Sequence, residues 1–309
     1  MTWGAIMVCG RAFLALFLFV LLSPDLAHAA SAQTIGVIQY NVKSGQRGWT
    51  TQNDVLDKQT HLVTDEVKSA PVDFIALEQA PEKPGVARSN ISVALAKDGV
   101  AGWKTIISRC ELDVTQLAYS PDWQLVVAAN TGNPLVDGLN PQYGWIPRGC
   151  GSHHARPFNI AYFHNAKSGA DVLFVINHLP HCGNTATCTK PWDVGKFKQD
   201  VKSVVGAGAD LTKIRLIAAG DMNELGGSDD AKAFDPLFSA FGALQISTNL
   251  LTCCADSSFQ YSFDRLVANS ADRPKAIILD GVAYPINPDL KNNEEHKAIY
   301  GVVSFPASP

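Results

Sequence analysis

Four polar residues each close an apolar run in this 309-residue chain: Asn41 after TIGVIQY, Glu78 after VDFIAL, His178 after VLFVIN and Asp221 after IRLIAAG. A strand buried on both faces has no packing use for a carboxylate or an imidazole at its end. Loops at strand ends, by contrast, are where a rigid scaffold displays functional groups. Asn223 follows Asp221 in GDMNE, Asp264 and Arg265 interrupt the apolar run SFDRLVA, and His296 follows Glu294 and Glu295 just before the last apolar run. Singly, each has an ordinary use. Asn41 suits a turn, Glu78 and His296 suit a surface, His178 suits a satisfied core position, and Asp221 with Asn223 suits an Asx turn capping a helix. Asp264 is harder to place, because buried charges need partners. Together, these imidazoles, carboxylates and carboxamides are the groups used for general acid–base transfer and for holding a hard, oxygen-liganded cation.

The elements that must position them read as alternating strands and helices. Strand-length apolar runs are expected at 34–42, 72–77, 103–108, 116–120, 124–129, 158–163, 172–177, 214–219, 262–268, 276–283 and 298–305. Helical spacing is expected at 54–68 and 194–205. A loop rich in Gly, Pro and Asn covers roughly 130–151, with no long repeat and no low-complexity linker. The pattern predicts one α/β domain, a two-sheet sandwich of mixed strands with helices outside.

Read in order, Tyr40-Asn41-Val42, Leu77-Glu78-Gln79, a strand-ending His178, Gly220-Asp221-Met222-Asn223, Phe263-Asp264-Arg265-Leu266-Val267 and Glu295-His296 resemble the endonuclease/exonuclease/phosphatase superfamily. Within it, the set is most similar to the pancreatic-type deoxyribonuclease branch; Tyr119-Ser120-Pro121-Asp122 also falls where that branch ends a strand in an aromatic, a Pro and an Asp. The resemblance implies a four-layer α-β-β-α sandwich of two mixed sheets with outer helices. It implies Mg²⁺, with Mn²⁺ or Ca²⁺ as substitutes, held by Asn41, Glu78 and Glu295. Catalysis would fall to His178, Asp221, Asn223, Asp264 and His296, with Asp264 orienting His296. Asp113 would orient His178, and Arg156 would offer its donor fork to phosphate.

Two positions depart from the family pattern. The usual Gln-Glu appears as Glu78-Gln79, and Glu78 is taken as the ligand because it directly follows the apolar run. The usual Ser-Asp-His appears as Glu294-Glu295-His296, one methylene longer at the carboxylate.

The remaining sequence bounds where such an enzyme would work. Arg11, the apolar stretch 12–22 and Ala27-His28-Ala29 describe a secretory signal peptide over 1–29, leaving one catalytic domain at 30–309 and a secreted or periplasmic location. No later run is long enough to span a membrane. Removing Arg11 and Asp25 leaves the net charge at −4, which argues against a tight nucleic-acid-binding module but not against an enzyme meeting DNA through a cation and a few donors. Cys110, Cys150, Cys182, Cys188, Cys253 and Cys254 then remain, an even number that suggests disulfides in an exported chain. Closure of the short loop between Cys182 and Cys188 is the expected pairing; Cys253 and Cys254 could join each other or reach Cys110 and Cys150. The expected substrate is a phosphodiester, with DNA favoured at low sequence specificity. The alternatives are a sphingomyelinase, an inositol-phosphate phosphatase or a toxin nuclease subunit requiring partner chains.

Overall fold

The structure is a computed structural model that describes residues 32–42, 67–80, 91–110, 113–128, 159–178, 194–222, 238–253, 260–279 and 296–307. The expected signal segment, the central loop at 130–151 and most of the helix expected at 54–68 lie outside these residues, as do Cys150, Cys182, Cys188 and Cys254.

Among the described residues, twelve strands form two six-stranded sheets. The first contains β1 (Gln33–Asn41), β2 (Phe74–Glu78), β3 (Lys104–Cys110), β4 (Asp113–Tyr119), β11 (Lys275–Ile278) and β12 (Ile299–Phe305), in the order β11-β12-β1-β2-β4-β3. The second contains β5 (Trp123–Ala128), β6 (Asn159–Asn165), β7 (Asp171–His178), β8 (Leu216–Asp221), β9 (Gln245–Ile246) and β10 (Asp264–Ala268), in the order β5-β6-β7-β8-β10-β9. Each sheet is mixed, with one parallel pair at its centre, β1 with β2 and β7 with β8. All other pairings are antiparallel.

Period-two alternation decides what each face buries. Ile35 and Val37 of β1, Phe74 and Ala76 of β2, Val172, Phe174 and Ile176 of β7, Ile217 and Ala219 of β8, and Leu266 and Ala268 of β10 all point into the layer between the sheets. Phe74 sits at its centre, with ring centroids 4.8–5.1 Å from Phe174, Trp123 and Phe163.

Helices close the two outer faces. Ile91 and Leu95 of α1 (Ile91–Lys97) pack with Ile38, Tyr40, Ile75 and Leu77 on the first sheet. Val201 and Val204 of α2 (Val194–Val205) pack with Leu173, Val175, Leu216 and Ala218 on the second. The four expected layers are therefore present. Helix α2 stops at Gly206, whose φ of +101° suits a residue without Cβ and whose N–H returns to Lys202 O at 2.9 Å.

Some elements differ from expectation. β3 and β4 run further toward each other than 103–108 and 116–120, because polar Arg109, Asp113 and Thr115 mask the hairpin's apolar pattern. The short α1 and the two-residue β9 were not expected; neither is long enough to impose a periodic signal.

Candidate active site

The inward stripes that build the core do not end in apolar residues. In β1 the alternation Ile35, Val37 continues as Gln39 and Asn41; in β2, Phe74 and Ala76 continue as Glu78. In β7 it reaches His178, in β8 Asp221, and in the antiparallel β10 it starts at Asp264. The registers align these positions: Asn41 opposite Glu78, His178 opposite Asp221, and Asp264 opposite Asp221. One end of the inter-sheet layer is therefore polar.

His296 joins from the segment before β12. A β-bridge pairs it with Cys253, and Lys297 N donates to Thr252 O at 2.8 Å. Thr252 Oγ1 accepts from Asp264 N at 3.3 Å, so one short segment holds both Asp264 and His296 in place.

Hydrogen bonds then link the two sheets. His296 Nδ1 lies 2.8 Å from Asp264 Oδ2. Asn41 Nδ2 donates to Asp221 Oδ2 at 2.8 Å, and the same oxygen lies 3.5 Å from His178 Nε2 and 3.6 Å from His296 Nε2. Gln39 Nε2 donates to both Glu78 Oε2 at 2.7 Å and Asp264 Oδ1 at 2.8 Å. All of these side chains are at most 3 % exposed.

Of the residues singled out from sequence, Asn41, Glu78, His178, Asp221, Asp264 and His296 converge at this end. Asn223, Glu295 and Arg156 lie outside the described residues. Position 113 opens β4 at the same end as Glu78, in phase with Leu117; the Asp113 side chain lies outside the described residues. Glu78, not Gln79, occupies the inward phase of β2, and Gln79 leaves the strand at φ +47°. Gln39 was missed, because one uncharged polar residue inside the run TIGVIQYNV carries no signal of its own.

The arrangement can hold a cation as well as move protons. Glu78, Asp221 and Asp264 are three fully buried carboxylates against two imidazoles. Among the described residues at this end the carboxylates outnumber the imidazoles, a donor set that suits a cation, since buried charge requires compensation. Asn41 turns its amide nitrogen to Asp221. Carboxylate and amide oxygens are the hard ligands a divalent cation such as Mg²⁺ takes. Asp221, Asp264 and His296 also each present a ligand atom, all within 4.8 Å of one another.

No family model matches the sequence, and no curated protein matches it. Solved structures do. An endonuclease/exonuclease/phosphatase family protein from Bacteroides thetaiotaomicron superposes with TM-score 0.59 at 15 % identity, over 89 % of this chain and 96 % of that one. A mannosyl-6-phosphatase from the same species gives 0.54 at 14 %, over 87 % and 99 %. TDP2 from D. rerio, complexed with a single-strand DNA product, gives 0.53 at 13 %, over 87 % and 98 %. At these identities the likeness establishes the fold.

Proposed function

We propose that this chain is a secreted, divalent-metal-dependent phosphodiesterase of the endonuclease/exonuclease/phosphatase superfamily, acting as a DNA endonuclease of low sequence specificity as the pancreatic-type deoxyribonuclease branch does. The observation that carries the reading is the buried Asp264–His296 pair facing Asp221 and His178, with Asn41 and Glu78 across the gap.

Hydrolysing a phosphodiester breaks one P–O bond by attack of water. One group takes a proton from the water, and another returns a proton to the leaving oxygen. Asp264 accepts the Nδ1 proton of His296, which fixes the tautomer and turns Nε2 toward the phosphate. His178 faces the same space through its own Nε2, so the two imidazoles divide the roles of base and acid. Asp221 Oδ2, between them, orients the attacking water. Asn41, Glu78 and Glu295 would hold the cation, and bound Mg²⁺ would supply Lewis-acid polarisation of a phosphate oxygen. Asn223 and Arg156 donate to the phosphate.

The DNA product in the D. rerio TDP2 structure favours a nucleic-acid substrate. The net charge of −4 fits brief contact through a cation and a few donors rather than an extended basic grip. Among the described residues no helix is long and apolar enough to cross a membrane. The test is to incubate the chain from Ala30 onward with plasmid DNA, sphingomyelin, an inositol phosphate and a generic phosphodiester, with and without Mg²⁺. Mg²⁺-dependent nicking of the plasmid supports the reading. Turnover of sphingomyelin or the inositol phosphate alone moves the assignment to those substrates, and no turnover of any of the four removes it. Cell fractionation tests export, and N-terminal sequencing of the exported protein tests cleavage; recovery from the cytoplasm alone would refute the first and a start at Met1 the second.

A further inference from the structure

We propose that Gln39 is a positioning residue that couples the cation ligand Glu78 to the Asp264–His296 pair, an inference that rests on the phosphodiesterase reading above. A carboxamide nitrogen carries two N–H donors. Here both are used, one on Glu78 Oε2 at 2.7 Å and one on Asp264 Oδ1 at 2.8 Å. Glu78 belongs to the first sheet and Asp264 to the second, so a single amide fixes the distance between the cation-binding side and the proton-transfer side. Asp264 Oδ2 faces His296 Nδ1 while Oδ1 is held by Gln39. The orientation of the imidazole is thereby referred to the position of Glu78.

The residue type fits that task. Hydrogen bonds to ionised acceptors are the strong ones, and Gln39 is fully buried, where water does not compete. A lysine or arginine in the same place would donate equally well but would neutralise the carboxylates that must attract a dication. Glutamine orders them and leaves their charge in place. Its Oε1 has no partner among the described residues. A buried acceptor left so is costly, and water carried by a bound cation would supply a donor.

The experiment compares the parent with Gln39→Met, which keeps the volume and removes both donors, and Gln39→Asn, which retracts the amide by one methylene. Folding is checked by near-ultraviolet circular dichroism. Mn²⁺ affinity is measured on substrate-free protein by electron paramagnetic resonance, and kcat at saturating Mn²⁺ and substrate. Loss of a residue that orients ligands typically costs about 10–100-fold, so Gln39→Met should lose at least about tenfold in both readouts, with smaller paired losses in Gln39→Asn. If Gln39→Met does not fold, Gln39→Asn decides. A folded variant within twofold of the parent in both readouts overturns the proposal, as does a loss in one readout alone, since coupling requires both. Failure of the underlying reading looks different: there the parent itself shows no Mn²⁺-dependent hydrolysis, or His296→Ala leaves turnover intact.

Discussion

Asn41 on the first sheet donates its amide nitrogen to Asp221 on the second at 2.8 Å. The candidate site is therefore closed across the gap between the sheets rather than along either one. A second polar bridge stands at the opposite end of the same layer. Asp73, just before β2, accepts from Trp123 Nε1 of β5 at 2.8 Å and from Gly36 N of β1 at 2.9 Å. The apolar core between these bridges sets the separation of the sheets, and that separation brings Asn41 within reach of Asp221.

Asn41→Ala removes one donor to the buried Asp221 carboxylate. A hydrogen bond to a charged group contributes about 1.5–3 kcal/mol. Urea unfolding should show a loss of that order together with reduced turnover. An unchanged midpoint would mean that the Asn41–Asp221 bond contributes nothing to holding the sheets.

His296→Ala should lower kcat by at least about 10²-fold, the usual contribution of a positioned acid or base. Asp264→Asn should be comparably damaging, because the carboxylate that fixes the tautomer is gone. The double variant should be little worse than the worse single one, since residues acting as a unit are non-additive. Steady-state kinetics at saturating metal decide the matter, and multiplicative losses would show that the two act independently.

Activity should vanish after EDTA treatment and return with Mg²⁺ or Mn²⁺. Glu78→Gln keeps the shape and removes the charge, so it should raise the metal concentration needed for half-maximal turnover. Full turnover without any divalent ion would remove Glu78, Asn41 and Glu295 from the role of ligands.

The site was legible in sequence largely because its residues continue packing stripes. Glu78 after Phe74 and Ala76, and His178 after Phe174 and Ile176, keep the period-two phase of their strands, so an ending in a titratable group stood out. Gln39 did not stand out, since one uncharged polar residue inside TIGVIQYNV reads as ordinary strand composition. Its importance comes from Asp264, 225 positions away, a relationship only the paired sheets create. The layer architecture followed from strand count and spacing. The hairpin of β3 and β4 was underestimated because Arg109, Asp113 and Thr115 break its apolar run, and α1 was too short to announce itself.

Burial raises the pKa of Asp73 above its ordinary 3.8, and the hydrogen bonds from Trp123 and Gly36 offset this only in part. The folded chain therefore holds that proton to higher pH than the unfolded chain does. This contribution to stability is fully present below the unfolded pKa and is lost as pH rises through the folded one. Asp73→Asn should remove that acid-side component from the stability-versus-pH curve. Urea midpoints measured from pH 3 upward test the sign; a parent-minus-variant difference that increases with pH across this window would reverse it.

Gly220 immediately precedes Asp221 in β8. It pairs with Asn177, next to the His178–Asp221 pair, and a Cβ at this position would stand 1.7 Å from Asn177 O. The obstruction is backbone on the neighbouring strand, so no side-chain rotation relieves it. Gly220→Ala must push β7 away from β8 at the point where His178 Nε2 and Asp221 Oδ2 lie 3.5 Å apart. Overpacking typically costs about 1–3 kcal/mol, and the displacement acts on the candidate acid–base geometry as well. Gly208 is the control, with nothing within 4 Å of an added Cβ; surface substitutions of this kind stay within about 0.5 kcal/mol. Thermal melts and turnover for both variants should separate them, Gly220→Ala losing stability and activity together while Gly208→Ala keeps both. Equal behaviour of the two would mean that the close approach of β7 and β8 is not what sets the His178–Asp221 spacing.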